Sequence, residues 1–460
     1  MQNGVGSSGA KANLKIAIVH PDLGIGGAER LIVDAAVELA SRGHSVKVFT
    51  AHHDPRRCFE ETLDGSFGVH VYGDWLPRHI FYRFHALCAY LRCLYVAWAV
   101  VLLWGSFDVV IADQVSAVIP VLRWMRQARI LFYCHFPDML LAKRESWLRR
   151  AYRAPIDWIE ERTTGSADLL LVNSSFTAAV FNQTFRHLRK KGVKPTVLYP
   201  AVDLKQFDIP PPSPKEQEGT LEESIMVADT LEGIGGLHKK SRIFLSINRF
   251  ERKKNVGLAI RAYAIMRSQL PNAMGGASAS SDGASSSTGV REAQDSTVKL
   301  VIAGGFDVRL RENVELLEEL KALAQESGVG EDVVFVPSFT QTQKNLLLTA
   351  SICVLYTPED EHFGIVPLEA MAARRPVIAC NSGGPTESVD HQTTGFLCPP
   401  TPDAFAAAMA DLLQHPQLAE KMGHAARAHV ERSFSREVFG SKLEHMVLQL
   451  ANERGKKKAV

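Results

Sequence analysis

Cysteine is scarce in this sequence, and the few cysteines present are not paired along the chain. Their number is odd, seven, and no two of them form a Cys-x-x-Cys motif. Scattered spacing of this kind argues against a disulfide framework and against a structural zinc site. We therefore expect a protein of a reducing, cytosolic environment.

An excess of charge of either sign is also missing. The 52 lysines and arginines almost balance the 50 aspartates and glutamates, which leaves a formal net charge of +2. A domain that binds nucleic acid normally carries a strong basic excess. The balance therefore excludes a globally basic nucleic-acid-binding protein, and we expect no nucleic-acid partner.

The chain does contain a regular alternation of short apolar runs and longer stretches with helical periodicity. This alternation is typical of β-α-β units that form a parallel sheet. The first group of runs lies at 15–20, 46–50, 108–112, 130–134, 169–173 and 196–198, and the second at 243–248, 299–303, 333–336, 352–356, 377–380 and 395–397. We therefore predict an α/β protein with two Rossmann-like parallel-sheet domains.

Two polar stretches separate or interrupt these domains. Residues 208–240 are rich in Pro, Glu and Gly, and residues 271–297 are rich in Ser, Gly and Ala. Because such segments lack the large apolar side chains of a core, we expect a linker at 208–240 and a disordered surface insertion at 271–297. The predicted domains are then residues 14–207 and 241–436.

One long hydrophobic run stands out in the first domain. It starts at Ala86, ends at Trp104 and contains Arg92 as its only charge, and its length suffices to span a bilayer. Because the strands predicted at 15–20 and 108–112 belong to one parallel sheet, the chain cannot end on the other side of a membrane. Two alternatives remain, a helix buried in the domain and a helix lying in the membrane interface, of which we favour the second. The aromatic residues then expected near the headgroups are Trp75, Tyr82, Trp98 and Trp104.

A glycine-rich turn follows the first predicted strand. The strand ends at His20 and leads into Pro-Asp-Leu-Gly-Ile-Gly-Gly-Ala-Glu-Arg, which opens a helix. Gly26 and Gly27 let a ligand approach the backbone closely, and the helix start favours an anionic group such as a phosphate. The third glycine of a G-x-G-x-x-G motif is missing, so a tight turn that needs positive φ is the alternative.

Cations follow the strand predicted at 243–248. Arg249 and Lys254 lie at the carboxyl end of a parallel strand, where open α/β sheets bind ligands. They are candidates to neutralise a diphosphate. A solvated basic turn is the alternative.

Two glutamates eight positions apart follow the strand predicted at 352–356. Glu361 and Glu369 flank a turn that enters a helix near Gly364. The first N–H groups of that helix can bind a phosphate or a sugar hydroxyl, while Glu369 reaches a ribose and Glu361 reaches a sugar ring. Simple capping of the helix is the alternative for Glu369.

The glutamate pair, the two cations and the run Ser-Gly-Gly-Pro-Thr-Glu at 382–387 together resemble the retaining glycosyltransferases of family 4, which have the two-Rossmann GT-B fold. The resemblance is closer to the eukaryotic dolichol-pathway α-1,3/1,6-mannosyltransferases and covers nearly the whole chain. The runs that carry it are H-P-D-L-G-I-G-G-A-E-R-L from His20, Y-C-H-F-P-D from Tyr133, Y-R-A-P-I-D-W-I-E-E from Tyr152, L-S-I-N-R-F-E-R-K-K-N from Leu245 and E-H-F-G-I-V-P-L-E-A-M-A from Glu361. One departure from the family pattern is Asp360 before Glu361.

The resemblance implies two domains that face each other across a cleft and bind GDP-mannose mainly through the second. Arg249 and Lys254 would hold the diphosphate, and Glu369 would hold the ribose. The mannose would be held by Glu361 and by the backbone of Phe363, Gly364, Ile365 and Val366. The catalytic residues implied are Glu361, His135, Arg249 and Lys254.

The first domain would supply the acceptor side of the cleft. His135, which follows the strand predicted at 130–134, would touch the sugar, and a histidine packed beside a cis or kinked proline is the alternative. The C-terminal segment 437–460 would cross back onto this domain. The acceptor-side residues implied are Gly26, Gly27, Arg30, His135 and Asp138.

The resemblance also implies a reaction and its partners. Two mannoses would be transferred, first α-1,3 and then α-1,6, to Man1GlcNAc2 on dolichyl diphosphate, at the cytosolic face of the endoplasmic reticulum membrane. The apolar helix would face the membrane, and other early dolichol-pathway mannosyltransferases would be partners.

No metal or other cofactor is expected for this reaction. Arg249 and Lys254 can neutralise the leaving group, and no Asp-x-Asp triad flanks a predicted strand end in the second domain.

Two alternative functions remain open. They are a GT-B retaining glycosyltransferase with a different donor or lipid acceptor, and a non-catalytic scaffold in a glycosylation complex.

Overall fold

The computed structural model describes residues 13–80, 84–141, 146–208, 237, 241–269 and 298–458. They belong to two compact units, one made of Met1–Val202 together with Ser433–Val460 and the other of Asp203–Arg432. The predicted insertion at 271–297, most of the predicted linker at 208–240 and Tyr82 lie outside the described residues.

The first unit is built on a parallel sheet. Its strands are β1 (Lys15–His20), β2 (Ser45–Thr50), β3 (Gly68–Val71), β4 (Val109–Asp113), β5 (Arg129–Cys134), β6 (Leu169–Val172) and β7 (Thr196–Val197). Its first helices are α1 (Gly27–Ser41), α2 (His85–Leu103), α3 (Ile119–Leu122), α4 (Asp138–Leu141), α5 (Trp147–Thr164), α6 (Ser175–Thr184) and α7 (Arg186–Lys190). The spatial order of the strands is β3-β2-β1-β4-β5-β6-β7.

Both faces of this sheet are covered, which explains why its strands appear in the sequence as continuous apolar runs. Successive side chains of a strand point to opposite faces. In β1, Ile16 and Ile18 therefore join the core that includes α1, whereas Ala17 and Val19 join the core that includes α2. Of the described strands in this sheet, only the short edge strand β3 is not predicted from the sequence, because its Gly-Val-His-Val run is half-buried and has no long apolar pattern.

The second unit has its own parallel sheet. Its strands are β8 (Arg242–Ile247), β9 (Val298–Gly304), β10 (Val333–Pro337), β11 (Ser351–Tyr356), β12 (Val377–Cys380) and β13 (Gly395–Cys398). Its helices are α8 (Gly257–Gln269), α9 (Arg311–Glu326), α10 (Gln341–Ala350), α11 (Ile365–Ala372), α12 (Pro385–Ser388), α13 (Pro402–Gln414) and α14 (Pro416–Ser433). The strand order is β10-β9-β8-β11-β12-β13.

The C-terminal helix α15 (Arg436–Lys458) belongs to the first unit and packs against α1. Phe439, Leu443 and Val447 are buried in the same core as α1. A side chain at Gly440 would overlap the Glu38 side chain, so glycine permits the close approach of the two helices.

Helix α2 is half-buried. Its burial is therefore intermediate between the two alternatives that the sequence left open, a helix buried in the domain and a helix lying in the membrane interface. By length and composition it could span a membrane, and 44% of its apolar window is buried. Its flanking strands β3 and β4 belong to one parallel sheet. One face packs in the core of the unit through residues such as Val96 and Val100, whereas Leu102 and Leu103 are 72% and 66% exposed.

The strand order of each sheet reverses at one point, between β1 and β4 in the first unit and between β8 and β11 in the second. Open α/β sheets bind ligands at such switch points, beyond the carboxyl ends of the strands. The residues that follow these strands are therefore the ones whose geometry matters for function.

Candidate functional site

Three polar side chains meet at the carboxyl ends of the neighbouring strands β1, β4 and β5. Asp113 ends β4, and its Oδ1 lies 2.8 Å from Nε2 of His135. Its Oδ2 lies 2.8 Å from Nδ1 of His20, the last residue of β1. The carboxylate is fully buried and His20 nearly so, while the His135 side chain is 21% exposed. Only the outermost group of this trio, His135, is thus available to a ligand.

The electrostatics of the trio favour an ionised carboxylate. Burial alone would raise the pKa of Asp113, but the charge of His135 and the hydrogen bonds from both imidazoles outweigh it, and the pKa is lowered. For His20 the signs are reversed. Burial alone would lower its pKa, but the hydrogen bond and charge of Asp113 outweigh burial and raise the pKa. A buried anion between two imidazoles fixes the ring orientation of both.

The loop that carries His135 is held by helix α5. Glu160 accepts hydrogen bonds from the backbone N–H of Asp138 at 2.7 Å and of Met139 at 2.9 Å. Arg153 bonds the Asp138 carboxylate at 2.8 Å. The run Y-R-A-P-I-D-W-I-E-E therefore contributes the clamp for the loop after β5. Within the described residues no peptide bond is cis, which excludes a cis proline beside His135 and leaves the kinked-proline alternative as a prediction.

In the glycine-rich turn after β1, Gly27 is exposed, whereas a Cβ at Gly26 would lie 2.2 Å from a carboxylate oxygen of Glu29. Gly26 is the N-cap of α1 with an extended φ of −173°, and neither Gly26 nor Gly27 has positive φ. A Cβ at Gly27 would meet nothing within 4 Å. The alternative of a tight turn that needs positive φ is therefore wrong for these two glycines.

Arg30, which the resemblance assigns to the acceptor side, is engaged by acids in this structure. Its guanidinium bonds Asp34 and lies 2.7 Å from Glu61. It also stacks 4.9 Å above the ring centre of Phe59. Its contact with a substrate stays a prediction.

In the second unit, the ends of β8 and β11 are joined by an ion pair between Lys254 and Glu361. The Thr357 hydroxyl donates to the backbone carbonyl of Lys254 at 2.7 Å, which fastens the two loops together. Burial would raise the pKa of Glu361, but the charge and hydrogen bond of Lys254 lower it. Arg249 lies apart from this pair: its side chain is 63% exposed and bonds Glu251 at 2.7 Å.

The loop before α11 requires its glycine. Gly364 is the N-cap of α11 and has a φ of +85°. Residues other than glycine rarely adopt such a positive φ. A Cβ there would lie 2.7 Å from the buried Tyr356 hydroxyl. The N–H groups of the first turn of α11 begin directly after it and have no preceding carbonyl partner within the helix.

The Ser-Gly-Gly run at 382–384 packs backbone against backbone on the Glu361 loop. A Cβ at Gly383 would lie 2.5 Å from the Glu361 carbonyl, and one at Gly384 would lie 2.2 Å from the Phe363 Cα. The Gly384 N–H donates to the Glu361 carbonyl at 2.7 Å. Asp360 adopts a left-handed φ of +48°, which aspartate and asparagine tolerate better than most residues.

Glu369 does not cap α11, because no acid lies in the first turn of that helix. Its Oε1 accepts a hydrogen bond from Lys344 at 2.5 Å. Its Oε2 is buried and has no hydrogen-bond partner among the described residues. The capping alternative is therefore wrong, and this carboxylate presents an unused acceptor.

Sequence reasoning missed Asp113, His20 and Lys344 as members of these clusters. Asp113 directly follows the strand predicted at 108–112, so its position at a strand end was a usable signal. Lys344 lies inside an ordinary helix, 25 positions before its partner Glu369. No local pattern in the sequence indicates that contact.

Comparison with known proteins agrees with the geometry. Residues 25–207 match the family described as Glycosyltransferase Family 4, and residues 228–429 match Glycosyl transferases group 1. The chain is 48% identical over 440 residues to alpha-1,3/1,6-mannosyltransferase ALG2 of Homo sapiens, covering 95% of this chain and 96% of that protein. The enzyme of the same name from Mus musculus is 46% identical over 441 residues, with the same coverage.

Among solved structures, a sucrose-phosphate synthase from Thermosynechococcus elongatus has the same fold. Its TM-score is 0.68 at 21% identity, over 95% of this chain and 99% of that one. The predicted α/β architecture of two Rossmann-like domains is thus confirmed as the GT-B fold. The chain belongs to the α-1,3/1,6-mannosyltransferases, a family of GT-B glycosyltransferases.

Proposed function

We propose that this protein transfers mannose from GDP-mannose to Man1GlcNAc2 on dolichyl diphosphate, forming an α-1,3 and then an α-1,6 linkage. The observation that carries the proposal is the Lys254–Glu361 pair at the switch point of the second sheet, with Glu369 eight residues further on. The names of the relatives, which are 48% and 46% identical over almost the whole chain, support both linkages.

The donor's charged part suits the cations after β8. The Lys254 ammonium has three N–H donors, and one of them bonds Glu361 Oε2. The other two remain for a phosphate oxygen. The exposed Arg249 is free to swing from Glu251 to the diphosphate, where its planar guanidinium can form paired hydrogen bonds. Glu369 would hold the ribose through its unused oxygen.

The transferred mannose would be held by Glu361 and by the backbone N–H groups of residues 363–366. His135 would hydrogen-bond a sugar hydroxyl of the substrate, in the orientation that Asp113 imposes. Gly26, Gly27, Arg30 and Asp138 are proposed to line the acceptor's approach.

The reaction proposed is a front-face displacement with retention at the anomeric carbon. The bond between that carbon and the phosphate oxygen breaks, and the acceptor oxygen bonds to the same face. The acceptor's proton passes to the departing phosphate oxygen, so no protein carboxylate needs to act as nucleophile. The rate then depends on positioning and on neutralising the leaving group, which Lys254 and Arg249 supply without a metal.

The acceptor's lipid gives the exposed face of α2 a role. We place this face, with Leu102 and Leu103, in the interface of the endoplasmic reticulum membrane on its cytosolic side, near other early dolichol-pathway mannosyltransferases. A Leu102→Glu, Leu103→Glu double variant should lose binding to phosphatidylcholine–phosphatidylserine vesicles. The matched control is Leu63→Glu, which alters an exposed leucine elsewhere on the unit. Equal binding by all variants would contradict the placement.

Donor selection is the experiment that tests the proposed function. The purified protein is incubated with the lipid-linked acceptor and an equimolar mixture of GDP-mannose, UDP-glucose and UDP-GlcNAc, and nucleotide release is measured by chromatography. We expect GDP alone. Release of UDP would indicate a glycosyltransferase with another donor, and release of neither nucleotide would indicate a scaffold.

A further inference from the structure

We propose that Lys344 is a positioning residue for the donor nucleotide, which fixes the Glu369 carboxylate so that its free oxygen meets the ribose hydroxyls. The inference rests on the proposed function, in which Glu369 binds the ribose. It adds a residue that lies on another helix and touches no substrate in this scheme.

The position of Lys344 in its own helix does not explain its presence. Thr340 caps the start of α10, accepting from the Gln343 N–H at 3.2 Å, while the Gln343 side chain accepts from the Thr340 N–H at 2.9 Å. Lys344 directly follows this capping box. A cation near a helix start opposes the helix dipole, which favours anions there. Its benefit must therefore come from a contact outside the helix.

That contact is with Glu369. The Lys344 ammonium lies 2.5 Å from Glu369 Oε1, and the two side chains are only 14% and 15% exposed. The pair links α10 to α11, the helix that begins at Ile365, directly after the Glu361 loop. A sheltered pair of this kind holds the carboxylate in one orientation more firmly than an exposed pair.

The second oxygen of Glu369 points to a ligand. It is buried and has no hydrogen-bond partner among the residues that the structure describes. A buried acceptor without a donor is unfavourable, so Oε2 calls for a donor that the described side chains do not supply. Adjacent ribose hydroxyls are donors that fit a carboxylate oxygen. With Oε1 occupied by Lys344, Oε2 is the atom left for them.

The test is a thermodynamic cycle that combines removal of the Lys344 ammonium with removal of the ribose hydroxyls of the nucleotide. Calorimetry measures the affinity of wild type and Lys344→Met for GDP and for 2′,3′-dideoxy-GDP. We expect the variant to bind GDP about tenfold more weakly, because a charge-assisted contact is disturbed. It should bind the dideoxy nucleotide as wild type does. Steady-state kinetics should show the same rise in KM for GDP-mannose with kcat within about twofold.

Three further variants separate positioning from other roles. Lys344→Arg should restore most of the GDP affinity. Lys344→Met added to Glu369→Gln should weaken GDP binding no further than Glu369→Gln alone. Lys321→Met, which removes the exposed Lys321–Glu318 pair, should leave both affinities unchanged.

The inference is overturned if Lys344→Met retains wild-type affinity for GDP. It is also overturned if the variant weakens the dideoxy nucleotide as much as GDP, since Lys344 would then act on the phosphates or on the fold. A wild-type protein that prefers UDP would instead refute the donor assignment. The same cycle with UDP and 2′,3′-dideoxy-UDP would then decide the role of Lys344.

Discussion

Asp113 lies 2.8 Å from His135, and this buried carboxylate is what fixes the one partly exposed imidazole of the trio. The other Asp113 oxygen is taken by His20, so the carboxylate cannot turn away. His135 therefore presents its remaining ring nitrogen in one direction. In the proposed front-face displacement, whose rate depends on positioning, the orientation of the His135 ring affects the rate more than its basicity does.

Replacing the carboxylate should therefore impair transfer. We expect Asp113→Asn to lower kcat/KM about 100-fold, because an amide can accept from only one of the two imidazoles. Initial-rate kinetics with GDP-mannose measures the effect. Asp108→Asn is the matched control. Asp108 lies just before the same strand and accepts a hydrogen bond from the Lys15 N–H at the amino ends of the strands. A rate for Asp113→Asn within twofold of wild type would contradict the role of the trio.

The trio should also make stability depend on pH. The pKa of His20 is raised above 6.5 in the folded protein, so its contribution is fully present below that pH. The contribution is lost as the pH rises through the folded pKa. The measurement is the urea midpoint of wild type minus that of His20→Gln, which keeps a donor but does not titrate. This difference should shrink as the pH rises above about 6.5, the ordinary pKa of histidine. A difference that is constant or grows with pH would refute the assignment.

The two predicted phosphate cations should differ in what they stabilise. Lys254→Met leaves the sheltered Glu361 unpaired, so we expect a loss of about 2–3 kcal/mol in unfolding free energy together with loss of activity. Arg249→Met should reduce activity by a similar factor yet change stability little, because Arg249 is exposed. Denaturation and kinetics on the same preparations check both.

The control for this pair is Lys253→Met, which removes the neighbouring exposed lysine that bonds Glu251. It should retain activity within about twofold, as surface charges usually contribute little. If Lys253→Met were as inactive as Lys254→Met, the basic turn would act through its overall charge rather than through Lys254.

Gly383 should tolerate no side chain, because it packs against the backbone of the Glu361 loop. An ordinary turn glycine is required only for its positive φ. Gly192 has a comparable positive φ, +76° against +63°, but a Cβ there meets nothing within 4 Å. Gly192→Ala should cost about 1 kcal/mol from backbone strain alone. Gly383→Ala should cost more and also abolish activity, because the new methyl group displaces the Glu361 backbone. Thermal unfolding and activity compare the two variants, and equal effects would argue against the backbone packing.

The sequence could predict each described strand of the second unit because each is a short and mostly apolar run. It also located the loops after β8 and β11, since cations and glutamates at strand ends stand out from the apolar runs before them. It missed β3, whose edge position leaves it half-buried.

Contacts between distant segments were beyond the reach of sequence patterns. The Asp113–His20 contact spans 93 positions and the Lys254–Glu361 pair spans 107. Only the fold brings such residues together, through strands that are neighbours in space but not in sequence. The same limit applies to Arg30, whose engagement by Glu61 depends on a turn 31 positions away.

Transfer of both mannoses at one site can be measured as the mass of the product formed from lipid-linked Man1GlcNAc2 and GDP-mannose in the presence of EDTA. We expect wild type to add two mannoses and Glu361→Gln to add none, because we propose that one metal-independent site performs both transfers. A Glu361→Gln protein that still added one mannose would contradict a single site for both transfers. A wild type inactive in EDTA and restored by manganese would contradict metal independence.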